Sequence, residues 1–291
     1  MRLMVTAALI VAGLGAARAQ DLDRKKAWPV VLKSAHYQIH SDATKEEAQK
    51  LLDHMELLFA TYTRLFALPR PPAARLTVVL FKSKEGYETH AETPKGSAAY
   101  YDGRHLVGYC DEERMYNYFA HEGTHQFTDI ALKDIQRAPM WFTEGIAECL
   151  GNSEVRGGRL YVAARNGRIA RENLPVIQKM IRDRTHVPLR ELVTMGEKEW
   201  KAREGMYPQS WSFCHFLLAY PNAEDPKREI PDGRYRPVLS TFITLMSKRS
   251  TKLEKALQAS FVVNGKPIDL DELEKEWKAY VLGMTAGEAR E

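Results

Sequence analysis

Two histidines four residues apart, in His121-Glu122-Gly123-Thr124-His125, stand one turn apart on a helix. Both imidazoles then share a face and can reach one metal ion. Glu122 follows the first histidine directly, so its carboxylate can reach a metal-activated water without being a ligand. After eighteen intervening residues comes Glu144, within Trp141-Phe142-Thr143-Glu144-Gly145-Ile146-Ala147-Glu148. Glu144 and Glu148 are an i,i+4 pair that repels mildly, and on so apolar a helix burying both is costly without a cation or donors. A metal for one and an imidazole N–H for the other resolves that cost. The competing reading is a pair of solvated glutamates on an exposed face.

These side chains need two helices and a support. Asp111 is placed to cap a helix on which Met115, Phe119, Gly123, Phe127 and Ile130 form an apolar stripe, roughly opposite His121 and His125. The histidines therefore point away from that anchor, towards a second layer or a cleft. Pro139 suits a helix start and Gly151 its end, which predicts a second helix over 139–150. Just upstream, Ser97 to Tyr109 reads as a hairpin about Asp102-Gly103. Its strand bordering the motif helix is either a plain sheet strand or an edge able to hold an extended peptide.

The remaining pattern is strand-rich at first and helical later. Val30 to Ser41 reads as one extended segment whose His36 and His40 make a polar strand face. Thr44-Lys45-Glu46-Glu47 is a capping box opening a long amphipathic helix, with Ala48, Leu51, Leu52, Met55, Phe59, Tyr62 and Phe66 on its inner face. Leu76 to Phe81 reads as a buried strand and Lys84 to Thr93 as a short helix. Beyond residue 150 come a short strand at 159–162, a turn at Asn166-Gly167, and helices near 174–182, 189–193, 210–220, 238–246 and 253–261. A Pro-rich loop falls at 221–237, and a closing helix over 270–282 carries Leu270, Leu273, Trp277, Tyr280 and Val281. The class is α+β: a small mixed N-terminal sheet with helices and the motif helix, then a mostly helical lobe. The boundaries read are 1–19, 20–136 and 137–291.

Residues 1–19 have the form of a cleaved secretory signal: Arg2, an apolar run from Leu3 to Leu14, and Ala17-Arg18-Ala19 before Gln20. The expected setting is export, periplasmic or extracellular, without stable membrane insertion once the leader is removed. The formal charge of +4 falls to +2 without Arg2 and Arg18, with signs interspersed, which does not point to nucleic acid. Cys110, Cys149 and Cys214 are an odd number for an exported chain, consistent with one disulfide and a free thiol or with three buried thiols. None stands at C-x-x-C spacing, so a cysteine-based metal site is not supported.

The constellation resembles the gluzincin metallopeptidases, the thermolysin-like group with an H-E-x-x-H helix and a glutamate third ligand on a following helix. Pro139 to Glu148 is similar to the P-x-W-hydrophobic-x-E-G-x-A-E signature of exported bacterial proteins grouped as peptidase MA-like. The resemblance implies a zincin-like fold and Zn2+ held by His121, His125 and Glu144, with Glu122 as general base on a zinc-bound water and Glu148 orienting His121. It further implies an oxyanion donor from the helical lobe, for which Tyr207 has the spacing of the tyrosine in the aminopeptidase branch. His215, flanked by Phe213, Phe216 and Leu217, reads as a core histidine. A metzincin would need a third histidine at Ala131. Two histidines and one glutamate leave the fourth position to water, which is the catalytic rather than the structural pattern. The implied activity is hydrolysis of peptide or protein substrates. A non-peptidolytic zinc-binding envelope protein and an amidase acting on cell-wall peptide are the other readings, and Glu122 argues against a mere binder. No G-x-M-E-N anchor precedes the motif, which favours endopeptidase action over N-terminal trimming.

Overall fold

The computed structural model describes residues 27–66, 74–90, 93–94, 96–111, 114–162, 167–221 and 228–285. The expected leader lies outside them. They form two compact units, one of residues 27–63 and 74–130, the other of 64–66 and 131–285. As expected, the chain is α+β, with a mixed sheet first and a mostly helical remainder. No helix among the described residues is long and apolar enough to cross a membrane.

The first unit is built on a five-stranded sheet in the order β1 (Val30–Lys33), β2 (Tyr37–Ser41), β3 (Leu76–Phe81), β5 (His105–Tyr109), β4 (Ala99–Tyr101). The central pairings β2/β3 and β3/β5 are parallel, and the two outer ones are antiparallel. Alternation along β3 and β5 sends side chains to opposite faces. Val79, Phe81 and Val107 join Trp28, Tyr87 of α2 (Lys84–His90) and Tyr100 in one apolar cluster. Leu106 and Gly108 face the other way, where α3 (Met115–Leu132) lies close. Gly108 is required there, because a Cβ would stand 2.8 Å from the Phe119 ring. The capping box is formed as read: Thr44 N–H donates to Glu47 Oε2 at 2.8 Å and Glu47 N–H to Thr44 Oγ1 at 3.2 Å, opening α1 (Lys45–Phe66).

Two readings of this unit change. The extended segment from Val30 to Ser41 is an antiparallel hairpin, turned at Ser34–His36. Glu56 on α1 holds that turn, accepting from Ser34 Oγ, from His36 N–H at 2.8 Å and pairing with His36 Nδ1 at 2.7 Å. The β4/β5 turn centres on Gly103-Arg104 instead of Asp102-Gly103. Asp102 N–H donates to His105 O at 3.2 Å, and Gly103 takes a positive φ of 90°.

In the second unit α4 (Met140–Gly151) packs lengthwise on α8 (Met206–Ala219). The contact is so close that a Cβ on Gly145 would lie 2.4 Å from the Ser210 carbonyl oxygen. Around this pair run α5 (Arg168–Arg182), α6 (Leu189–Leu192), α7 (Glu197–Ala202), α9 (Arg236–Met246), α10 (Leu253–Ser260) and α11 (Leu270–Gly283), with hairpins β6–β7 (Glu154–Arg156, Arg159–Tyr161) and β8–β9 (Val262–Val263, Lys266–Pro267). The closing helix packs as expected, with Leu273, Trp277 and Val281 buried and Trp277 Nε1 donating to Ser212 Oγ at 3.2 Å. All three cysteines are free thiols; Cys149 and Cys214 are buried and Cys110 is half-buried.

Candidate metal centre

The apolar stripe of α3 fixes which way its histidines face. Phe119 and Phe127 are fully buried, Phe127 lies edge-on to Phe59, and Gly123 sits against Met55, Tyr62 and Leu106. Tyr62 Oη donates to Ala120 O at 3.0 Å and accepts from Thr124 Oγ1 at 3.3 Å, so α1 grips the helix in the middle of the motif. His121 and His125, 4 % and 1 % exposed, stand on the side away from that grip.

Their Nε2 atoms approach to 3.1 Å, with the rings at 76°. Two imidazoles bound tetrahedrally to zinc at about 2.0–2.1 Å would hold those nitrogens roughly 3.3 Å apart. The observed pair is near that spacing without further movement. Burial first, and then the neighbouring His121, push His125 well below the ordinary histidine pKa. Its neutral form is the one a metal binds.

Glu144 is fully buried on α4, where Trp141, Gly145 and Cys149 turn towards α8. Trp141 packs on Phe213 and Phe242 and donates from Nε1 to Val193 O at 3.2 Å. That packing pins the turn carrying Glu144. A carboxylate so far from water needs a cation or donors to stay ionised. His121, His125 and Glu144 are the group among the described residues able to hold a metal ion, their ligand atoms all lying within 4.8 Å of one another. A set of two imidazole nitrogens and one carboxylate oxygen fits zinc with an open position.

Glu122, 3 % exposed, accepts from the Tyr101 backbone N–H at 3.1 Å. Glu148 is half-buried and accepts from Asn173 Nδ2 at 3.0 Å. Tyr207 lies in the first turn of α8, half-buried, with its ring edge-on to Trp200 at 4.8 Å. His215 is a core histidine as read, buried and bonded through Nδ1 to Tyr280 Oη at 2.9 Å.

Tyr101, Asp129 and Asn173 were not expected in these roles. Tyr101 Oη donates to Asp129 Oδ2 at 3.1 Å. Asp129 carried a readable signal, standing four residues after His125 and seven after Glu122, on the helix face of the latter.

Residues 117–225 match a family described as a protein of unknown function (DUF1570). That span runs from α3 through α8 and includes His121, Glu122, His125, Glu144, Glu148 and Tyr207. A search of curated proteins gave no match.

Proposed function

We propose that the protein is an exported zinc-dependent peptidase of the gluzincin, zincin-like type, with His121, His125 and Glu144 as the metal ligands. The observation that carries this reading is the buried two-histidine, one-carboxylate group with its ligand atoms within 4.8 Å. Zinc in that group would supply Lewis acidity, lowering the pKa of a water and polarising the scissile carbonyl.

The chain's own residues do the rest. Glu122 takes the proton of the attacking water and passes it to the leaving amine. Until then its carboxylate is aimed by the Tyr101 N–H. Glu148, steadied by Asn173, accepts an N–H from His121 and so fixes the tautomer that leaves Nε2 free for the metal. Tyr207 donates its hydroxyl to the oxyanion that develops on the substrate. The peptide lies extended along the edge strand β4, which brings its carbonyl towards Glu122. The signal-like form of residues 1–19 supports the exported setting.

The test is a peptide-library digest by zinc-loaded mature protein beside Glu122→Gln. Wild type should cleave internal bonds, and the variant should keep its zinc while losing at least about a hundredfold in turnover. Equal turnover in the two would sink the role of Glu122. A zinc-loaded wild type inert to every peptide would sink the peptidase reading.

A further inference from the structure

Tyr101 makes two hydrogen bonds to one face of the motif helix. Its backbone N–H donates to Glu122 Oε2 and its phenol to Asp129 Oδ2, both at 3.1 Å. Glu122 and Asp129 are seven residues apart, two turns or about 10 Å along the axis. A single residue of β4 therefore lies along the helix and is fastened at both ends. Burial first, and then the Asp129 carboxylate, push the Tyr101 phenol above its ordinary pKa, so it remains a donor.

The sheet register explains why that N–H is available. Tyr101 is opposite Leu106, and the next pair, Asp102 with His105, is hydrogen-bonded. Antiparallel pairs alternate, so the Tyr101 N–H points away from β5 to the free edge of the sheet. A short three-residue edge strand is easily displaced. The bond to Asp129 gives its last residue a second tie to α3, through the side chain.

The geometry points to Tyr101 as a positioning residue for Glu122: the Tyr101–Asp129 bond holds the end of β4 against the motif helix, so that the Tyr101 N–H fixes the Glu122 carboxylate. This rests on the peptidase reading for its catalytic consequence, though the clamp itself is independent of it.

Two measurements decide the matter. Amide hydrogen exchange at residue 101 in full-length mature protein should speed up by about tenfold or more in Tyr101→Phe and in Asp129→Ala. Asp129→Asn, which keeps an oxygen acceptor, should restore much of the protection lost in Asp129→Ala. With the zinc-loaded enzyme, Tyr101→Phe should lower kcat roughly ten- to a hundredfold with KM changed less than about threefold. In a Glu122→Gln background the same change should alter the residual rate by less than about twofold, since it acts through Glu122. Unchanged exchange in both variants, or an equal loss of rate with and without Glu122, overturns the proposal. If wild type cleaves nothing, the peptidase reading falls and the exchange measurement still decides on the clamp.

Discussion

Replacing Gly145 by alanine sets two effects of opposite sign against each other. In a helix interior alanine is favoured over glycine by roughly 1 kcal/mol. Against that, the added Cβ would lie 2.4 Å from Ser210 O, 2.8 Å from Ser210 C and 2.7 Å from Cys214 Sγ. Ordinary carbon contacts begin near 3.5 Å, so about 1 Å must be found. Two of the three atoms are backbone of α8, which no rotamer change can move. Overpacking of this kind costs typically 1–3 kcal/mol, and a backbone clash belongs at the upper end. The net expectation is a loss of about 2 kcal/mol, or roughly 4–8 °C in Tm. Because Glu144 is the preceding residue, zinc affinity should fall as well. Thermal melts of metal-free protein read the first effect, and competition with a zinc-binding dye reads the second. Gly123→Ala is the internal comparison: its Cβ would meet the flexible tip of Met55 at 3.0 Å and Tyr62 Oη at 3.1 Å, and its cost in Tm should be smaller. An alanine at 145 that left the protein as stable as wild type or more so would refute the reasoning.

Acid should destabilise the fold through His54, which burial pushes down to about 4. Below pH 6.5 the unfolded chain binds a proton that the native side chain refuses, so stability falls from pH 6.5 to 4, by about 3 kcal/mol in all. Urea unfolding at several pH values should show a flatter profile for His54→Leu over that window; parallel profiles would remove His54 from the account. Arg137 donates to the carbonyls of Leu132, Met246, Lys248, Arg249 and Thr251, tying the end of α9 to the Ile135–Arg137 turn. A lysine cannot reproduce that fork, so Arg137→Lys should cost about 2 kcal/mol in urea unfolding, and a loss below about 0.5 kcal/mol would contradict it.

The elements that carry the candidate centre were legible because each is written locally. Thr44 and Glu47 cap α1 through their own side chains, and the apolar run at 76–81 is β3 to the residue. The stripe on α3 and the Pro139–Gly151 bracket of α4 place His121, His125, Glu144 and Glu148 from spacing alone. What was not legible depends on distant partners. The β1/β2 turn contains no glycine, proline or asparagine and is held by Glu56, about twenty residues away in sequence. The β4/β5 turn is displaced by one residue because Asp102 uses its side chain to accept from Arg104 and His105 N–H, at 2.7 and 2.5 Å. Gly157-Gly158 and Asn264-Gly265, all at positive φ, turn the β6–β7 and β8–β9 hairpins. Helix α5 starts at Arg168, before the expected 174, and runs through Pro175, which propensity alone argues against. The Tyr101 bridge needed the sheet register, which no local pattern supplies.

If His121, His125 and Glu144 hold zinc as proposed, X-ray absorption at the zinc edge of the purified mature protein reads the ligand atoms directly. The expected result is about one zinc per chain, in a four-coordinate shell of nitrogen and oxygen near 2.0–2.1 Å with the outer scattering of two imidazoles and no sulfur. Zinc far below one per chain, or a sulfur shell near 2.3 Å drawn from the cysteines, would contradict it.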